Sequence, residues 1–451
     1  MGGVIVLAGL MLSSCAWTVD SETECVLPAA PGEERALVFT AERPTHVLGI
    51  SIDTLRRDRI GRTTGRDTTP FLDQVLAEGV ALDDFRACAN WTLPGLTCAM
   101  TGQSTLEHGV EPMAPDIQDR SEPLPEDLET LATWLGDAGH ETRLVSAAKL
   151  FSTHRPVSNG FDQVDFVGEV SAEELVEAAL GHAAELAALD DIPTYLQVHF
   201  RDPHAPYSPP MAYQGELTGA DLGDMDPRTS EGMQTLRREW SGLTSDERSE
   251  LASVLFTLYD GELRYLDDQL ARLWAGLDDL GLLEDTLVVL WSDHGEQFFD
   301  HGRFEHGQSL HTSEASAVAG FWARSLEPIA FTGPSTQMDL VPTVLDALGL
   351  PIPSTVTGAP IGSAPPDRTR ISATVDHRGL PTFTIDQEDQ RMFYTWNGER
   401  ALYDLEDDPG EHENRYDASD PTVACLWSVL QPALDRVDPS RTAGGPSAAR
   451  P

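Results

Sequence analysis

A leucine repeat runs straight into an apolar strand that ends in an acid and an imidazole, and this junction restricts the possible folds more than any other stretch. Leu263, Leu266, Leu270, Leu273, Leu277 and Leu280 recur at helical spacing with acids and arginines between them, the pattern of a helix that covers an apolar neighbour. Gly281 to Asp285 ends it. Thr286 to Trp291 then follows without polar alternation, which reads as a strand buried on both faces. Ser292-Asp293-His294-Gly295-Glu296 closes the strand. Open α/β sheets hold their ligands beyond the carboxyl ends of such strands. A carboxylate and an imidazole at that place suit a divalent cation of the Zn, Mn or Ca type. Taken alone, the same residues also describe a turn with a capping Asp.

The alternation repeats along the chain. His46 to Asp53 is an apolar strand ending in an acid, and Tyr195 to Phe200 is another, running into Arg201-Asp202-Pro203-His204. Thr142 to Ala147 is a third. Helices are expected over Pro70–Glu78, Pro94–Thr101, Leu128–Gly139, Glu173–Leu189 and Met338–Gly349, and a polar, loop-rich insertion over 208–245. Strands alternating with helices at this spacing predict an α/β fold: a mostly parallel central sheet flanked by helices, here over 45–365. From about residue 370, short runs such as Arg391–Thr395 and Arg400–Tyr403 predict a small antiparallel subdomain over 366–436. The Pro/Gly/Ser/Ala-rich stretch 437–451 reads as disordered.

With 74 acidic and 30 basic residues, the 451-residue chain carries a net charge of −44. Such a surface argues against nucleic acid and anionic membranes as partners. Arg56, Arg57, Arg59, Arg62 and Arg66 crowd one loop, where they meet either an anionic substrate or surface acids. Lys149 is the only lysine. Because a compact ammonium is not interchangeable with a guanidinium, it is a candidate substrate contact.

Val4 to Leu12 is too short to span a bilayer as a helix. Leu12-Ser13-Ser14-Cys15 is similar to a bacterial lipoprotein signal with lipid on Cys15, although the run before it lacks Lys or Arg; the other reading is an ordinary secretory signal. Either way an exported protein is expected: a periplasmic or cell-envelope lipoprotein with segment 1–15 as signal and lipobox, 16–44 as tether, and the lipid as its sole membrane contact. Cys25, Cys88, Cys98 and Cys425 then permit two disulfides, with Cys88–Cys98 bracing a loop and Cys25–Cys425 tying the ends.

Motifs shared in order carry a resemblance from about His46 to Asn414. They are Ile52-Asp53-Thr54-Leu55-Arg56, Trp91-Thr92-Leu93-Pro94, Asp202-Pro203-His204-Ala205-Pro206-Tyr207, Tyr259-Asp260-Gly261-Glu262, Ser292-Asp293-His294-Gly295-Glu296, Asp300-His301-Gly302, Glu305-His306-Gly307 and Asp339-Leu340-Val341-Pro342-Thr343. Together they resemble the sulfatase family of the alkaline-phosphatase superfamily. The resemblance implies that Asp53, Asp293 and His294 bind one divalent metal (Ca, Mn or Zn), with Thr92 as a further ligand and as the nucleophile. It implies that His204 protonates the leaving group or holds the substrate anion, that His306 is a second anion contact, and that Lys149 is a substrate-contacting lysine. His301 and Arg56 are further substrate-binding candidates.

Two departures matter. The family's formylglycine is made from Cys or Ser in a Cys/Ser-x-Pro-Ser-Arg run; here Thr92-Leu93-Pro94-Gly95-Leu96 stands in its place, and no formylglycine is expected. Thr54 replaces the family's second acid. The remaining set looks like the single-metal site of phosphoester-cleaving relatives. The expected activity is therefore cleavage of a sulfate or phosphate ester of a small molecule or glycan. Alternatives are a phosphodiesterase or phosphoryl-group transferase, or a degenerate protein that binds anionic glycans without turnover.

Overall fold

The computed structural model describes residues 37–110, 128–151, 156–189 and 191–437. The signal-like segment, most of the expected tether and the tail from 438 onward lie outside these residues. An eight-stranded sheet has the spatial order Ile329–Phe331, Val80–Leu82, Ala319–Trp322, Thr286–Ser292, His46–Ile52, Thr194–Phe200, Glu141–Ser146, Gln163–Phe166. The central strand His46–Ile52 pairs in parallel with Thr194–Phe200 and with Thr286–Ser292. Only Ala319–Trp322 runs antiparallel to its two neighbours.

Unbroken apolar strands follow from burial on both faces. Leu48, Ile50, Ile52, Val288 and Leu290 point into one core with Leu175, Val176, Leu263 and Leu270. Val47, Leu287, Val289 and Trp291 point into the opposite core with Met100, Leu340 and Val344. The two-residue period of a strand thus assigns alternate residues to the two helical layers.

The leucine-repeat helix is longer than its apolar pattern suggests. It runs over Ser245–Asp279, opened by Thr244, whose hydroxyl accepts from Glu247 N while Glu247 caps back, a capping box. Its first turns are too polar for a periodicity to register. Leu280 falls past its end and is exposed. The stretch expected as loops holds a helix over Ser230–Glu239 that buries Gly232, Met233 and Leu236, too small an apolar stripe to stand out. The helix expected from Pro94 begins at Thr92.

The subdomain is a four-stranded antiparallel sheet, Arg370–Val375, Pro381–Gln387, Gln390–Thr395 and Arg400–Asp404, covered by the helix Pro421–Val437. Its first strand lies along the segment leading to Thr92: Ala373 N donates to Cys88 O at 3.0 Å and the Thr374 hydroxyl donates to Asn90 Oδ1 at 2.5 Å. The end of the expected tether is docked rather than free, with Thr40 N donating to Ser325 O. Cys88 and Cys98 are buried free thiols, so the first permitted disulfide is not formed; Cys98 instead meets His108 Nε2 at 3.4 Å. Cys425 is in a disulfide, and Cys25 lies outside the described residues. Among the described residues no helix is long and apolar enough to cross a membrane.

Candidate active site

Asp53, His204 and Asp293 each lie just past the carboxyl end of one of three adjacent parallel strands, and Thr92 opens a helix whose first turn faces them. Asp53, Asp293 and His294 bring a donor atom each to within 4.8 Å of one another, all buried. His294 Nε2 lies 3.6 Å from Asp53 Oδ1, 3.6 Å from Asp293 Oδ2 and 3.3 Å from the Thr92 hydroxyl.

The tautomer of His294 follows from its surroundings. Nδ1 sits 2.8 Å from Gly295 O, which can only accept, so Nδ1 carries the proton and the Nε2 lone pair faces the cluster. Asp293 Oδ1 accepts from the backbone N–H groups of Thr54 and His294. Asp293 Oδ2 and Asp53 Oδ1 are buried with no hydrogen-bond partner. Two orphaned carboxylate oxygens and one imidazole lone pair aimed at a common point are a donor set for a divalent cation; buried without one, they are an expensive arrangement. Burial, then the Asp293 charge, pushes Asp53 up to about 8, and burial pushes Asp293 up to about 7. Burial, then the neighbouring His306, pushes His294 down to about 4.

Local backbone explains why these residues can meet. Gly295 is required because a Cβ there would lie 2.0 Å from Ser313 O. Thr54, with φ of 55°, turns the chain sharply after Asp53, a conformation that a β-branched residue adopts only under strong constraint. Its hydroxyl is buried without a partner, where the family pattern has a carboxylate.

Two more imidazoles complete the pocket. The His204 ring centre lies 5.1 Å from that of His306, which lies 4.6 Å from that of His294. Burial, then His306, holds His204 well below the usual imidazole range, and burial lowers His306. His204 Nδ1 is 2.7 Å from Ala205 O, leaving Nε2 unprotonated. His306 Nδ1 is 3.1 Å from Glu296 Oε1, and Tyr207 donates to the other oxygen of the same carboxylate at 2.9 Å. Glu296 therefore orients His306, a role hidden in the sequence although the residue stands in the Asp293–Glu296 motif. Asn90 and Glu314 are the other residues that sequence reasoning missed. Asn90 Nδ2 donates to Glu314 Oε2 and to Ser309 O, joining the segment before Thr92 to the loop after His306.

Three expected contacts fall elsewhere. Arg56 is buried, donating to Asp58, Asp300 and the carbonyl of Glu296, with its guanidinium over Phe256 and Phe298. Burial alone would lower its pKa, but the two carboxylates more than offset that and raise it. It braces the loop and has no free edge for substrate. Arg59 and Arg66 pair with Asp260, and Arg62 with Asp83, so acids account for these three arginines of the loop. Lys149 is exposed on a short turn after Glu141–Ser146, at the same edge of the sheet as the site but outside the buried cluster. His301 stacks on His311 with ring centres 3.6 Å apart. With Glu411 these two also bring donor atoms within 4.8 Å. Glu411 is already filled, however, accepting from Arg391, His311 and Thr312.

The Sulfatase family model matches residues 45–350, more than half of the chain. The chain belongs to the sulfatase family. It is 24% identical to an arylsulfatase of Clostridium perfringens over 238 residues, 49% of each chain. It is 26% identical to a multifunctional alkaline phosphatase superfamily protein of Trinickia caryophylli over 288 residues, covering 53% of this chain and 54% of that one. The chain thus spans about half the length of these two curated relatives. Its fold is that of the solved structure of BT4656 in complex with D-glucosamine-2-N,6-O-disulfate (TM-score 0.67, 17% identity, 90% of this chain and 100% of that one). It is also that of a phosphonate monoester hydrolase of Silicibacter pomeroyi (TM-score 0.65, 19% identity, 88% and 95%).

Proposed function

We propose that the chain is a metal-dependent hydrolase that cleaves a sulfate or phosphate-type ester of a small molecule or glycan with Thr92 as nucleophile. The observation that carries this reading is the convergence of Thr92 Oγ1 with His294 Nε2 and the two partnerless carboxylate oxygens. Asp53, Asp293, His294 and the Thr92 hydroxyl would hold the cation, which when bound polarises the ester and acidifies a hydroxyl. Thr92 Oγ1 attacks the sulfur or phosphorus in line, and the bond to the leaving oxygen breaks. His204 and His306, neutral in the free site, gain a proton more readily once an anionic ester lies between them. One of them takes the Thr92 proton as Oγ1 attacks and passes it to the leaving oxygen; the same imidazole then draws a proton from the attacking water and returns it to Thr92 Oγ1 as that ester breaks.

The chemistry of that second step favours phosphate or phosphonate esters. A formylglycine hydrate expels sulfate by re-forming its aldehyde, whereas a sulfated threonine has no such route. The test is hydrolysis of matched aryl sulfate, phosphate monoester and phosphodiester substrates in Ca, Mn or Zn. Wild type is expected to cleave a phosphoester, Thr92→Ser to retain part of that rate, and Thr92→Ala to lose at least ~1,000-fold. Full activity in Thr92→Ala would remove Thr92 as the nucleophile. Bound metal with no turnover of any ester would favour a catalytically degenerate anionic-glycan binder. We read the chain further as an exported lipoprotein, on the strength of Leu12–Cys15. Cys15→Ala should then release it from the membrane fraction.

A further inference from the structure

Of the five arginines on the segment after His46–Ile52, acids claim four: Arg56 by Asp58 and Asp300, Arg59 and Arg66 by Asp260, and Arg62 by Asp83. Arg57 is the exception. It is half-buried, and among the described residues its guanidinium has no hydrogen-bond or ion-pair partner. The acids around it are already taken. Asp58 lies 2.6 Å from Arg56 and Asp83 3.2 Å from Arg62, while Asp84 lies 2.7 Å from Arg370 and 3.4 Å from Arg86.

Arg57 lines a cavity of ≈ 380 Å³ that the segment 57–63 forms with the strands Val80–Leu82 and Ala319–Trp322. Leu76, Leu82 and Val318 belong to its apolar lining. Its polar lining is Arg57, Arg62 and Thr63, with Asp83 as the single acid. A half-buried guanidinium without an acceptor is costly to desolvate. Burial accordingly holds Arg57 below its ordinary pKa, and the charges of Asp84 and Asp83 offset this only in part.

The cavity is separate from the ester site: none of Asp53, Thr92, His204, Asp293, His294 or His306 lines it. Its walls are held in place from two sides. Val318 N donates to Ser292 Oγ and Ser292 N donates to Val318 O, both at 2.8 Å. Arg56, next to Arg57, donates to Glu296 O at 2.9 Å. A pocket fixed in this way needs little reordering to take a ligand.

We propose that this cavity binds a small organic anion, a carboxylate, sulfate or phosphate head on a compact apolar body, with Arg57 as the contact for the head. The planar guanidinium meets such a head with two donors at once. The apolar lining matches the body, and the volume falls in the range of pockets that enclose small molecules. A bare inorganic anion would leave that lining against water. The acidic surface of the chain repels anions at long range, so these local contacts have to hold the ligand. Such binding is independent of ester cleavage at Thr92.

The test is calorimetric binding to the full chain at neutral pH. The probes are 2-naphthoate and naphthalene-2-sulfonate, which carry head and body, 2-naphthol, which has the body alone, and inorganic sulfate, which has the head alone. At least one aryl anion is expected to bind about tenfold tighter than both 2-naphthol and sulfate. Arg57→Gln should abolish that advantage and leave 2-naphthol binding unchanged. It should not lower the melting temperature, since no partner is lost. His306→Ala, in the catalytic pocket, should leave the advantage intact. An advantage that persists in Arg57→Gln overturns the proposal, and its loss in His306→Ala would then assign it to the catalytic pocket. Sulfate bound as tightly as the aryl anions also overturns it, because the apolar lining would contribute nothing. So does 2-naphthol bound as tightly, because the guanidinium would contribute nothing.

Discussion

Burial disfavours the charged forms of both Asp53 and Asp293, with the Asp293 charge adding to the effect at Asp53, and this makes the candidate metal centre testable without a substrate. In the folded protein both carboxyls lie well above their ordinary value of 3.8, near 8 and 7. Without a divalent ion the native state therefore keeps protons that the unfolded chain has released, and stability falls as pH rises from about 4 through 8. The melting temperature of chelator-treated protein should drop over that interval. Asp53→Asn should flatten the drop, and a divalent cation should raise the melting temperature most at the upper end. Identical slopes for wild type and Asp53→Asn would remove the pair as the cause. The residues of this cluster were legible in the sequence because each stands at a strand end or a helix start, where local pattern marks it. Arg56 was misread because Asp300, 244 positions away, claims its guanidinium. Glu296, Asn90 and Glu314 were invisible because they act by holding other side chains.

Two elements define how close Thr92 comes to Asp293 and His294: the helix Thr92–Thr101 and the turn after Thr286–Ser292. They touch where Gly95 meets the backbone of Asp293, and a Cβ at Gly95 would lie 2.9 Å from Asp293 O. Gly95→Ala must push the helix off the turn. We expect a stability loss of about 1–3 kcal/mol, as for overpacked sites, measured by chemical denaturation, together with a fall in kcat larger than that loss explains. A variant with native kcat would show that the spacing is not critical. The four central strands were readable almost to the residue, since strands buried on both faces are apolar throughout, whereas Val80–Leu82, Gln163–Phe166, Ala319–Trp322 and Ile329–Phe331 are too short to register. The beginning of the longest helix was not readable either. Ser245–Leu251 is polar, and its cap at Thr244 depends on geometry that composition does not reveal.

For the whole molecule, the subdomain is fastened to the catalytic domain at Glu411. One of its oxygens meets Arg391, itself fully buried and bonded to Asp386, while the other accepts from His311 and Thr312. Removing one partner of a buried charge pair leaves the other uncompensated, at a cost of about 3–5 kcal/mol. Glu411→Ala should destabilise the protein by that order in equilibrium unfolding. A change below about 1 kcal/mol would mean that apolar packing alone holds the interface. The subdomain's existence was readable from its short alternating strands, but its docking was not, because it rests on pairs about a hundred or more residues apart. Finally, Lys149 offers the only side-chain primary amine, exposed at the edge of the sheet where the candidate site opens. An amine-coupled fluorophore directed there would label one side chain per molecule and serve as a reporter at that edge of the sheet.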